Sequence, residues 1–150
     1  MIKTKLAIPF IFLFLLTLPF VGEAKEKTYG NLIVSELVSV YDGDTFTVNL
    51  KGLHPIIGES IRIRLLGVDT PEIRDPNPKV KQLALQAREF TKSALLSAHT
   101  IYLMDIRRDK YFRIVADVYL DDCRLSELLI DAGLGKPYDG TGPRPQWDVE

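Results

Sequence analysis

The 150-residue chain is poor in cysteine, with Cys123 its only thiol. A single cysteine excludes a disulfide framework and any zinc site built from thiolates. Histidine is nearly as scarce, and His54 and His99 share no metal-ligand spacing. An excess of one charge is missing too. Nineteen Lys and Arg stand against twenty Asp and Glu, a net −1, which argues against a protein that coats nucleic acid by bulk positive charge. The one long apolar run, Leu6 to Val21, has 16 residues, whereas a membrane-crossing helix needs about 20. There is no internal repeat and no low-complexity tract. What remains is an ordinary composition, 46% apolar. It excludes a largely disordered chain, and the length suits one domain.

The amino-terminal run has a familiar layout. Lys3 and Lys5 precede it, and Gly22 and Ala24 follow at the −3 and −1 positions of a cut after Ala24. A basic start, an apolar middle and a small-residue exit make a secretory signal peptide. The expected domains are a signal peptide at 1–24 and one folded domain at 25–150, its core at about 32–138. The expected location is secreted or periplasmic, and the alternative is a retained membrane anchor. No cysteine stands at the exit, which argues against a lipoprotein. Without Lys3, Lys5 and Glu23, the remaining 126 residues hold 17 basic and 19 acidic side chains. Residues 61–113 carry a net +5 and residues 114–150 a net −5. The middle third therefore suits an anionic ligand, although a solvated charged surface explains the same count.

Leu32 to Tyr41, rich in Val, Ile and Leu, reads as a strand, and Asp42-Gly43-Asp44 as a turn. Thr45, Thr47 and Asn49 then alternate with Phe46, Val48 and Leu50, the pattern of a half-buried strand. Lys51 to Ser60 contains Gly52, Pro55 and Gly58 and reads as a loop. In Ile61 to Leu65 a period of two puts Arg62 and Arg64 on one face and three apolar residues on the other. After the breaker Asp75 to Pro78, the residues Leu83, Ala87, Phe90 and Ala94 form the apolar stripe of a helix from about Val80 to Ala98. Strands are expected at about Thr100–Ile106 and Phe112–Leu120, then a turn at Asp121-Asp122. A short helix Leu125–Ala132 follows, closed by Gly133, and then an irregular tail rich in proline and glycine. The fold class is α+β, mainly β: five strands and two to three helices fit a small antiparallel barrel, of which a five-stranded OB-like barrel is one solution. Cys123 is expected to be a small packed residue. Trp147 either packs onto the body or stays free.

Asp44 sits at a turn leading into a strand. Asp69 and Glu72 lie just past the arginine-bearing strand, with Pro71 fixing the backbone between them. Asp44 and Asp69 meet if their strands are adjacent. Two carboxylates, a backbone carbonyl and waters make an oxygen-only site for a hard cation, Ca2+ or Mg2+. Glu72 is close enough to orient or deprotonate a water. Arg64 and Arg113 suit a phosphodiester, because a guanidinium grips phosphate oxygens in a fork and offsets charge that grows in the transition state. Each residue alone has a plainer reading. Asp and Gly are the commonest turn formers, and a lone arginine is an ordinary surface residue.

Together these segments resemble the staphylococcal-nuclease (thermonuclease) family. Asp42-Gly43-Asp44-Thr45 is similar to its first acidic motif, and Arg64 to Glu72 to its central motif. Asp109-Lys110-Tyr111-Phe112-Arg113 resembles its Asp-Lys-Tyr-Gly-Arg motif. The likeness covers about Leu32 to Tyr138. It implies an OB-fold nuclease that hydrolyses DNA and RNA and leaves 3′-phosphate ends. It implies Ca2+ held by the carboxylates of Asp44 and Asp69 and the carbonyl of Thr70, with Glu72 as general base. Arg64 and Arg113 would bind the scissile phosphate, Lys110 and Tyr111 a terminal nucleotide phosphate, and Tyr138 would pack on a nucleotide. A monomer with no stable protein partner is expected. The chain departs from the family at Phe112 and Ile114, where glycines are usual, which leaves rate and substrate preference open. Phe112 is either a ring for base stacking or a core residue. The alternative function is an OB-fold module that binds single-stranded nucleic acid without cutting it.

Overall fold

The computed structural model describes residues 27–109, 111 and 113–147. The expected signal peptide, Lys110 and Phe112 lie outside the described residues. The elements run β1 (Leu32–Val40), β2 (Thr45–Leu50), α1 (Pro55–Gly58), β3 (Ile61–Leu65), β4 (Val68–Asp69) and α2 (Pro78–Ser97). After them come β5 (Ile101–Arg108), β6 (Ile114–Leu120), β7 (Cys123–Arg124), α3 (Leu125–Asp131) and β8 (Lys136–Pro137).

Strand β1 pairs antiparallel with β2 and with β5, β2 with β3, and β5 with β6. Irregularities in the β1 register at Val34/Glu36 and Leu37/Ser39 are the bends that let one strand serve two neighbours. A parallel pairing of β3 with β6 closes the ring. The result is the five-stranded OB-like barrel expected from the sequence. Its interior is filled by Phe46, Val48, Ile63, Leu65, Leu103 and Val118, and Leu95 of α2 with Leu125 and Leu129 of α3 joins the same core. Among the described residues no helix is long and apolar enough to cross a membrane.

Several local expectations need correction. The loop from Lys51 to Ser60 contains the single turn α1. Pro55 starts it, and His54 Nδ1 caps it by accepting a hydrogen bond from the Ile56 N–H at 3.3 Å. Helix α2 begins two residues before Val80, with Pro78 in its first turn and Asn77 as its cap, a preferred pairing of residue types. Its buried line is Val80, Ala84, Ala87, Thr91 and Leu95. Of the expected stripe only Ala87 is fully buried, while Leu83, Phe90 and Ala94 are half-buried. The contact selects small residues, and Thr91 is drawn inward because its hydroxyl donates to the Gly43 carbonyl at 2.6 Å. Cys123 is exposed rather than packed, because β7 is a two-residue strand at the rim of the sheet. Gly133 has the expected left-handed backbone, φ +69°.

The α2 contact makes Gly43 obligatory. A Cβ there would stand 2.8 Å from Cβ of Ala87 and 2.8 Å from Cγ2 of Thr70. Gly43→Ala is expected to lower stability by about 1–3 kcal/mol, the usual scale of overpacking. Thermal unfolding checks it, and an unchanged midpoint would mean that turn and helix separate freely.

Candidate functional site

Strand β3 lies between β2 and β6, so its polar face is shared with both. The register sets Arg64 opposite Thr45 on one side and opposite Val115 on the other. The chain then turns at Gly67, whose φ is +81°, and β4 delivers Asp69. Asp44, at the head of β2, and Asp69 are 3% and 1% exposed. Such carboxylates need partners, because a buried unpaired charge is very costly. Arg64 supplies one for both. Its Nη1 lies 2.7 Å from Asp44 Oδ2 and its Nη2 3.3 Å from Asp69 Oδ1. The N–H and hydroxyl of Thr70 donate to Asp44 Oδ2 at 2.9 and 3.0 Å. Asp44, Asp69 and Thr70 are thus brought together around one guanidinium, while Glu72 sits half-exposed at the rim.

Asp42, part of the turn and of the first acidic motif but given no role of its own, adds a further carboxyl. Burial and then the neighbouring Asp44 charge push it up to about 7. Asp109 belongs to a quoted motif but had no assigned role. It accepts from the Arg113 N–H at 2.9 Å and from Arg113 Nε at 2.7 Å. Burial works against its charge, but these hydrogen bonds outweigh it and hold the carboxyl below the usual range. Asp109 therefore fixes where the Arg113 guanidinium points, and that guanidinium lies 5.5 Å from the Tyr111 ring centre.

A cleft of about 660 Å³ gathers these groups, with Asp44, Arg64, Glu72, Tyr111, Arg113 and Tyr138 among its lining residues. Asp69 and Thr70 lie buried behind its wall, bonded to Arg64 and to Asp44. Tyr138 is tied in place: its N–H donates to the Gly67 carbonyl at 3.2 Å and its hydroxyl to the Gly142 carbonyl at 3.0 Å. Neither histidine lines the cleft. His99 faces Asp121 at 3.5 Å, and His54 caps α1.

Sequence reasoning missed Arg144. It too lines the cleft, with Nε donating to Asp69 Oδ1 at 2.8 Å and Nη1 bonded to Glu72. Burial opposes its charge, but the hydrogen bonds it donates to Glu72 and Asp69 hold its proton more tightly than in an ordinary arginine. The available signal was faint: Arg144 is one of three basic residues in the acidic stretch 114–150. Trp147 packs onto the body, its Nε1 3.4 Å from Asp69 Oδ2.

Among the described residues no group of three or more His, Cys, Asp or Glu side chains is arranged to hold a metal ion. The converging donors are two buried carboxylates and the Thr70 carbonyl, with Glu72 beside them. They suit a hard cation, all being oxygens, and they already gather around two cations of the chain itself, the guanidiniums of Arg64 and Arg144.

A family model described as staphylococcal nuclease homologue matches residues 62–147. The thermonuclease of Staphylococcus hyicus is 32% identical over 116 residues, 77% of this chain and 62% of that one. The thermonuclease of Staphylococcus intermedius is 36% identical over 98 residues, 65% and 55% of the two chains. Endonuclease YncB of Bacillus subtilis is 32% identical over 117 residues, 77% and 53%. The chain thus spans between 53 and 62% of the length of these relatives.

Proposed function

The chain belongs to the family of staphylococcal nuclease homologues, and on that premise we propose that it is a secreted, Ca2+-dependent endonuclease. It hydrolyses phosphodiester bonds of DNA and RNA with low sequence specificity and leaves 3′-phosphate ends. One observation carries the reading: a single cleft holds two fixed guanidiniums, Arg64 and Arg113, beside the carboxylates of Asp44 and Glu72. Phosphate contacts position a nucleic acid but carry no base sequence, which accounts for low specificity. The export pattern of residues 1–24 supports secretion.

In this reading Arg64 and Arg113 grip the non-bridging oxygens of the scissile phosphate and stabilise its transition-state charge. Glu72 takes a proton from the water that attacks phosphorus. The bond to the 5′ oxygen breaks, that oxygen takes up a proton from solvent, and the phosphate stays on the 3′ side. Asp44, Asp69 and the Thr70 carbonyl would hold Ca2+, which would supply positive charge against the phosphate oxygens. Tyr111, Lys110 and Tyr138 contact the rest of the nucleotide.

The purified protein, incubated with single-stranded DNA and with RNA, is expected to cut both in Ca2+ and neither in excess chelator. The DNA products should resist polymerase extension until a phosphatase removes the 3′ phosphate. Binding of DNA without cleavage in Ca2+, Mg2+ or Mn2+ would instead select the non-catalytic binding module. An exported chain should begin near Lys25, which amino-terminal sequencing reads directly.

A further inference from the structure

The carboxyl-terminal segment places its own cation among the oxygens of the proposed metal site. Arg144 Nε and Nη2 lie 2.8 and 2.7 Å from Asp69 Oδ1, Nη1 meets the Glu72 carboxylate, and Nη2 stands 3.5 Å from the Thr70 carbonyl. Neighbouring residues fasten this segment down. Trp147 Nε1 reaches Asp69 Oδ2 at 3.4 Å. Lys136 Nζ donates to the Gln146 carbonyl at 2.6 Å and sits 4.8 Å from the centre of the Trp147 ring.

By formal charge, Asp44, Asp69 and Glu72 against Arg64 and Arg144 leave the cluster at minus one. With Arg144 withdrawn it stands at minus two, the charge that a divalent cation neutralises. The guanidinium and the ion need the same oxygens, so both cannot occupy them together. We infer that Arg144 is a built-in counter-ion that competes with Ca2+ for Asp69 and the Thr70 carbonyl while it holds Glu72, and that Pro143–Trp147 is a strap released when Ca2+ binds. This rests on the proposed cation site. The coupling is reciprocal: the strap weakens Ca2+ binding by the factor by which Ca2+ weakens the strap. Until Ca2+ arrives, Glu72 is held by Arg144 and is not free to accept a proton.

Trp147 is the only tryptophan in the chain, so its emission reports the strap in the unmodified protein. Ca2+ alone is titrated into the purified protein while heat and tryptophan emission are followed. The emission is expected to change with the same midpoint as the heat. Arg144→Gln should bind Ca2+ about tenfold tighter, within the usual range of such couplings, and should show the Ca2+-loaded emission before any Ca2+ is added. Arg144→Lys, which keeps the charge and loses the fork, should fall between. Equal Ca2+ affinities in wild type and Arg144→Gln would overturn the inference alone, as would wild-type emission that stays constant through the calorimetric midpoint. No heat in any of the three proteins would remove the cation site itself, and the strap's function with it.

Discussion

Replacing Glu72 by glutamine is expected to lower kcat by about two orders of magnitude or more, the usual scale of a lost general base. The substitution keeps the shape of the side chain and removes its negative charge. Glu72 is half-exposed at the rim and makes its ion pair with Arg144 rather than with a core group, so stability should change little. The same pairing gives the variant a second signature. Without the Glu72 charge Arg144 is held more weakly, so the Ca2+ requirement should not rise in step with the loss of turnover. Turnover measured at saturating Ca2+ and substrate separates the two effects. A Glu72→Gln enzyme with wild-type kcat would exclude Glu72 as the base.

The second large effect is expected at Arg64, and it is an effect on stability as much as on activity. Arg64 is the shared partner of Asp44 and Asp69, whose side chains are 4% and 1% exposed. Removing one partner of a buried ion pair costs about 3–5 kcal/mol, because the remaining charge is left uncompensated. Arg64→Met is expected to fall in that range when measured by denaturant unfolding in chelator. Arg144 still touches Asp69, which places the loss nearer the lower end. Saturating Ca2+ should restore part of the lost stability, since any ligand that binds only the folded state stabilises it by mass action. It should not restore cleavage, because the guanidinium proposed to grip the phosphate is gone. A variant as stable as wild type in chelator would show that Thr70 and water compensate the two carboxylates without Arg64.

The barrel was legible in the sequence because its strands announce themselves locally. Phe46, Val48 and Leu50, and then Ile63 and Leu65, are buried at every second position, and a period of two needs no knowledge of the partner strand. The acidic cluster was legible for a related reason: Arg64, Asp69, Thr70 and Glu72 lie within nine consecutive residues. The face of α2 was misread because large apolar residues dominate any hydrophobic stripe. The true contact needs Ala87 and Thr91, which lie directly against Gly43 of the turn. Arg144 was not legible at all. Its partners lie 72 to 75 positions earlier, and no local period marks a contact at that range. The short pairing of β4 with β8, which joins Val68 to Pro137, was hidden by the same distance.

The parallel pairing of β3 with β6 carries a consequence for how the protein becomes active. It joins Arg64 to Val115, 51 positions apart, and brings the strand that ends in the acidic motif beside the strand that opens after Arg113. Non-local parallel pairings form slowly, because the entropy of closing the intervening chain is lost before the contacts repay it. The β1–β2–β3 meander and the β5–β6 hairpin can each form from neighbouring sequence, yet neither holds both arginines. Bringing the two guanidiniums to one cleft therefore requires a long-range step of folding. A chain still unfolded carries every residue of the site and none of its geometry.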